Sequence, residues 1–119
     1  MELIVRSFPV LSGREAQLDI FLERLRKRTD DVRDFYDRFH VHRETWHRQE
    51  TEHGTWIIGV TQLDCDCDTV PAVAQSYSES AHAFDRWFKD SIHALTGIHP
   101  DREPLGPPTE LVFDTNELA

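Results

Sequence analysis

Apolar and polar positions along the chain divide it into short blocks of period 2 and period 3.6. Residues 2 to 8 (Glu-Leu-Ile-Val-Arg-Ser-Phe) are rich in apolar and β-branched types and run into Pro9, which predicts a first strand. The period then lengthens. Leu18, Phe21, Leu22 and Leu25 stand at the i, i+3, i+4, i+7 spacing of one helix face, behind Ser12 as cap and Glu15 reaching back to it. The cations Arg24, Arg26, Lys27 and Arg28 fall in the last turns of that helix, where they complement its dipole. After the polar break at Arg28-Thr29-Asp30 the spacing resumes at Val32, Phe35, Tyr36 and Phe39. That pattern predicts a two-part helix, its second part capped by Asp30 or Asp31.

From His40 the period is 2: His40, His42, Glu44 and Trp46 share one side, and Val41, Arg43, Thr45 and His47 the other. A glycine turn at Thr51-Glu52-His53-Gly54 joins this strand to the most strand-like stretch of the chain, residues 55 to 63, as an antiparallel hairpin. An acidic loop, Asp64-Cys65-Asp66-Cys67-Asp68, leads to a helix opened by Thr69 and Val70-Pro71, with Val70, Val73, Ala74 and Tyr77 on its apolar side. Beyond Ser78-Glu79-Ser80 a longer helix carries Ala81, Phe84, Phe88, Ile92 and Leu95 until Gly97 stops it. Residues 98 to 109 hold four of the six prolines and read as an extended connection, and residues 110 to 114 as a last short strand.

The predicted order is strand, helix, strand, strand, helix, strand. This is an α+β, ferredoxin-like βαββαβ plan: a four-stranded antiparallel sheet with helices on one face, with a core in residues 2–96 and an extension in 97–119. The sheet's second face is expected to carry Trp46 or its neighbours with Trp56, Ile58 and Val60. It is too apolar to be left in water, and a second copy of the chain most simply covers it as a homodimer.

Composition sharpens this picture by exclusion. A chain of 119 residues with 39% hydrophobic and 10% aromatic side chains is one domain that can fill a core. Neither a membrane span nor an export signal is visible, so a cytoplasmic location is expected. A net charge of -9 repels phosphate backbones and anionic lipid, so neither nucleic acid nor a membrane is an expected partner. Cys65 and Cys67 are too close in sequence for a relaxed disulfide and read as thiols. The flanking aspartates raise a thiol's pKa, which disfavours cysteine nucleophilic chemistry. The pair also lacks the partners that would complete a zinc site, so no metal is expected.

The run Ser80-Ala81-His82-Ala83-Phe84-Asp85-Arg86-Trp87-Phe88-Lys89 is similar to a Ser-x-His-Pro-x-Asp-x-x-Phe-Lys pattern in a family of small proteins of the dimeric α/β-barrel superfamily, with Ala83 in place of the proline. In architecture the chain resembles that superfamily over roughly residues 2 to 96. The resemblance implies a homodimer with ligand clefts between sheet and helices. Relatives in that superfamily include cofactor-independent monooxygenases, haem-degrading oxygenases, isomerases and stress-responsive proteins. No cofactor is implied for this chain.

His82 is the catalytic candidate. In the opening turn of its helix, behind Ser80, the positive end of the dipole favours a neutral imidazole that can act as a base or bind a ligand. Asp85 and Arg86 follow within a turn and can line one edge of a cleft with it. The plainer reading makes His82 a local cap and pairs Asp85 with Lys89 on a solvated face. His42 and Glu44 are the expected polar residues of a pocket whose apolar end is Trp46, against the reading that they are hydrogen-bonded strand-end residues. Trp56 is a further wall candidate, and Arg6 or Arg43 can face a substrate anion, depending on which strand face lines the cleft. Phosphate loops, dinucleotide fingerprints and nucleophile elbows are absent. Two readings follow: a dimer that binds, and transforms without a cofactor, a small organic molecule; or a non-enzymatic, stress-related or structural binding module.

Overall fold

The computed structural model describes residues 3–64 and 69–118. Strand β1 (Leu3–Pro9) turns Ile4, Arg6 and Phe8 toward the helices and Leu3, Val5 and Ser7 away, as the two-residue strand period requires. A turn with Gly13 in the left-handed region leads into helix α1 (Glu15–Lys27), which buries Leu18 and Phe21. Ser12 belongs to that turn. The helix starts from Arg14 with no side-chain cap, so the predicted capping box does not form. Only Arg28 separates α1 from helix α2 (Thr29–Arg38), which gives the expected two-part helix. Asp30 and Asp31 lie in its first turn, where they meet the dipole as charges rather than as a cap.

Strands β2 (Val41–Thr51) and β3 (Gly54–Leu63) form the hairpin. Helix α3 (Val70–Glu79) is capped by Thr69, whose hydroxyl accepts from the Ala72 N–H at 3.2 Å. Helix α4 (Ala83–Thr96) ends at Gly97, which adopts the left-handed conformation of a C-terminal cap. A short 3-10 turn (Thr115–Leu118) ends the described chain. Among the described residues no helix is long and apolar enough to cross a membrane.

The architecture is α+β, with an antiparallel sheet in the order β1-β3-β2. Among the described residues it has three strands where the sequence predicts four. Residues 110–114 are not a strand, and Leu111, Val112 and Phe113 are exposed. Pro107 and Pro108, just before them, carry no N–H for a ladder. The approach to the β1 edge is instead a side-chain contact, the Thr109 hydroxyl donating to the Val5 carbonyl at 2.5 Å.

All the helices pack on one face of the sheet, over a core built largely of rings. Phe35 lies at the centre, 4.7 Å from Phe88, 5.3 Å from Phe84 and 5.9 Å from Tyr77 between ring centroids, and Phe21 stands 5.7 Å from Phe88. Tilted and edge-on ring pairs add roughly 0.5–1.5 kcal/mol each beyond the area they bury. The other face of the sheet is open. It carries Leu3 and Val5, 58% and 39% exposed, beside half-buried Trp56, Ile58 and Val60. Trp46, by contrast, points into the helical side.

Candidate ligand-binding site

The centre of the sheet lacks a side chain. Gly59 on β3 pairs with Arg6 of β1 on one side and Trp46 of β2 on the other, and directly opposed residues point to the same face. A Cβ built on Gly59 would meet nothing within 4 Å. Above this gap lies a cavity of about 120 Å³ between sheet and helices. Ile4, Arg6, Ile57, Thr61, Glu44 and Trp46 form its floor, and Leu18, Phe35, Tyr36, Tyr77, Phe88 and Ile92 its roof.

Two charged side chains, Glu44 and Arg6, stand in the lining of this otherwise apolar space. The Glu44 carboxylate accepts from the Tyr36 hydroxyl, from Trp46 Nε1–H at 2.9 Å and from the Thr61 hydroxyl at 2.5 Å. Burial, then the charge and hydrogen bond of Glu44, holds the Tyr36 hydroxyl well above its ordinary pKa, and Tyr36 therefore remains a donor. Tyr77 is raised as well, first by burial and then by the charges of Glu44, Asp85 and Asp101. Arg6 donates from Nη1 to the Val5 carbonyl at 2.9 Å and to Thr109 at 3.3 Å, while its buried Nε has no acceptor. Burial lowers the Arg6 pKa, though arginine stays charged. Among the described residues no ion pair joins Arg6 to Glu44.

The segment after α4 borders the cavity with Pro100, Pro104 and Leu105. It is held at Asp101, whose carboxylate takes Lys89 Nζ at 2.7 Å and Arg86 at 2.8 Å. The Lys89 hydrogen bond, with help from Arg86, lowers the Asp101 pKa against the opposing effect of burial. Farther on, Gly106 lies against Phe8. Its φ is +74°, and a Cβ there would stand 2.5 Å from the ring, so both backbone and packing require glycine.

The sequence-predicted site residues separate into three places. Glu44 lines the cavity with Trp46 beside it, as the alternation of β2 predicts. His42 does not share their side, because a bulge between Val41 and Arg43 shifts the register. It is exposed, with Nδ1 3.4 Å from Asp64. Arg43, next to Glu44, belongs to the open face, so Arg6 is the arginine that meets the cavity. Trp56 also lies on the open face and does not line the cavity.

His82, Asp85 and Arg86 stand together at the start of α4, outside the cavity lining. His82 is itself the N-cap, its Nδ1 accepting from the Phe84 N–H at 3.2 Å. Ser80, just before it, accepts from the His82 N–H at 3.4 Å and donates its hydroxyl to Asp85. Asp85 is fully buried, and Arg38 grips both its oxygens at 2.7 Å. Burial would raise the Asp85 pKa, but the hydrogen bonds from Arg38 and Ser80 and the charges of Arg38 and His82 outweigh it and leave it lowered. The Asp85 hydrogen bond in turn raises the Arg38 pKa. Lys89 does not pair with Asp85. Its buried Nζ donates to the carbonyls of Tyr77, Ser78 and Ser80 at 3.0, 3.1 and 2.9 Å, closing the end of α3.

Among the described residues no three His, Cys, Asp or Glu side chains cluster as metal ligands, and Cys65 and Cys67 lie outside those residues. Sequence reasoning missed Tyr36, Thr61 and Gly59 as parts of the site. The available signals were a glycine inside the strongest strand pattern and a hydroxyl on an otherwise apolar helix stripe. Comparison with family models, curated proteins and solved structures finds no match to this chain.

Proposed function

We propose that this protein is a homodimeric ligand-binding protein of the dimeric α/β-barrel type, holding a small, mostly apolar organic molecule between its sheet and its helices. The observation that carries the reading is the space over Gly59. It is walled by Trp46, Phe35 and Phe88 without being filled by them, and its lining is almost wholly apolar. Its volume of about 120 Å³ is close to that of an engineered apolar cavity of about 150 Å³ that takes up benzene. One ring fits. The open sheet face, with Leu3, Val5, Trp56, Ile58 and Val60, supports pairing with a second copy.

Binding without turnover is the form of this reading that the polar groups favour. Glu44 already accepts three hydrogen bonds, which is the setting of a structural carboxylate rather than of a base waiting for a substrate proton. Cofactor-independent oxygenation or isomerisation, which the resemblance implies, would draw on Arg6, Tyr36 and Glu44 rather than on His82.

Toluene is the direct probe. In a titration followed by saturation-transfer and amide-shift NMR, it should perturb the amides around Gly59, Phe35 and Phe88. Gly59→Leu, which fills the space from a strand position without backbone strain, should abolish the effect and leave the melting temperature no lower. Wild-type protein that ignores toluene, or a G59L variant that binds it equally well, would overturn the proposal.

A further inference from the structure

Three neutral donors hold the Glu44 carboxylate in the lining of the cavity. The Thr61 hydroxyl donates to Oε1 at 2.5 Å, and the Tyr36 hydroxyl and Trp46 Nε1–H, the latter at 2.9 Å, donate to Oε2. The register brings this about. Glu44 and Thr61 oppose each other directly across β2 and β3, in the same-face row next to the Trp46–Gly59 pair, so acceptor and donors meet on one face of the sheet. Each of these four side chains is thereby engaged by another. Elsewhere in the lining Arg6 is turned to the β1 edge, where Nη1 donates to the Val5 carbonyl and to Thr109. The Thr96 hydroxyl donates to the Ile92 carbonyl at 2.7 Å. A ligand over Gly59 therefore meets the ring and aliphatic surfaces of Trp46, Phe35, Phe88 and Ile57. A hydroxyl, amide or carboxylate brought there gives up its water and finds no partner on the sheet floor.

We infer that the cavity selects a hydrocarbon ring, a ligand with no charge and no hydrogen-bonding group, and that Thr61 is a specificity-determining residue. Its hydroxyl covers the Glu44 oxygen that a polar ligand would otherwise use. This rests on the cavity-binding reading above and adds what the ligand must lack. Uncovered, that carboxylate oxygen is a strong acceptor at the border of an apolar space, and the O–H of a phenol can stand where the threonine hydroxyl stood. The chain's net charge of -9 works further against any anionic ligand.

Toluene and phenol have nearly the same shape and differ by a methyl against a hydroxyl. Titrated separately and followed through the amides around Gly59, wild type should bind toluene about tenfold more tightly than phenol, the effect of burying a hydroxyl without a partner. Thr61→Ala removes the covering hydroxyl and leaves room in its place. It should bind phenol about tenfold more tightly than wild type does, the gain from a hydrogen bond to a charged group, with toluene affinity changed far less. Thr61→Ser, which keeps the hydroxyl, should keep the wild-type preference, and Tyr36→Phe, which frees the other oxygen, should shift it toward phenol. Wild type that takes phenol as tightly as toluene, whether on the floor or through Tyr77 on the roof, overturns the inference and leaves the cavity reading standing. A wild-type preference preserved in both T61A and Y36F overturns the role of Thr61. Failure of wild type to bind either molecule overturns both readings.

Discussion

Arg38, the last residue of α2, makes a two-pronged contact with Asp85 in the first turn of α4, each nitrogen 2.7 Å from one carboxylate oxygen. The aspartate is fully buried. A planar fork on a carboxylate fixes both distance and angle, so the contact sets how the two helices stand over the cavity. Removing one partner leaves an uncompensated charge. Arg38→Met, which leaves the buried Asp85 carboxylate without its cation, should lower unfolding stability by about 3 kcal/mol, read from the midpoint of a urea transition.

Acid should loosen the protein through the same residue. Asp85 and Asp101 both have pKa values lowered by folding. Their stabilisation is therefore complete above the unfolded carboxylate value, about 3.9, and is lost as pH falls through the lower folded values. Urea midpoints measured from pH 6 downward should stay level until about pH 4 and then fall. In Asp85→Asn that decline should be shallower; an equally steep decline would mean that other carboxylates govern it.

The segment that borders the cavity after α4 depends on Asp101. Asp101→Asn weakens two charge-assisted contacts, to Lys89 and Arg86, and should let residues 97–109 open more often. Trypsin cleavage after exposed Arg102 should then be faster by about tenfold, the size expected from one lost charged hydrogen bond. Cleavage elsewhere serves as the internal control.

If a second copy covers the open sheet face, a charge placed there should prevent it. Val5→Asp adds an unpaired carboxylate beside Ile58 and Val60 while leaving the cavity side of β1 unchanged. Sedimentation should show a dimer for wild type and a monomer for V5D, with toluene binding kept in the monomer. A monomeric wild type at micromolar concentration would remove the dimer from the proposal.

Local spacing carried the helices and the hairpin well. The stripes through Leu18 and Phe21 and through Phe84 and Phe88 are buried, and the alternation of residues 55 to 63 matches the faces of β3. It failed where a partner lies far along the chain. Asp85 is read locally as facing Lys89 because they are one turn apart, whereas its true partner is 47 residues away. The bulge that parts His42 from Glu44 leaves no mark on a period-2 pattern, and Gly59 becomes meaningful only when the register places it between Arg6 and Trp46. The missing fourth strand had a visible warning in Pro107-Pro108.

The chain has two lysines, and they sit at opposite extremes: the Lys27 side chain is 74% exposed and that of Lys89 is wholly enclosed. An amine-reactive reagent therefore finds a free handle at Lys27 and must wait for the fold to open before it reaches Lys89. The ratio of the two acylation rates, read by mass spectrometry, is a clock for opening events that needs no engineered label.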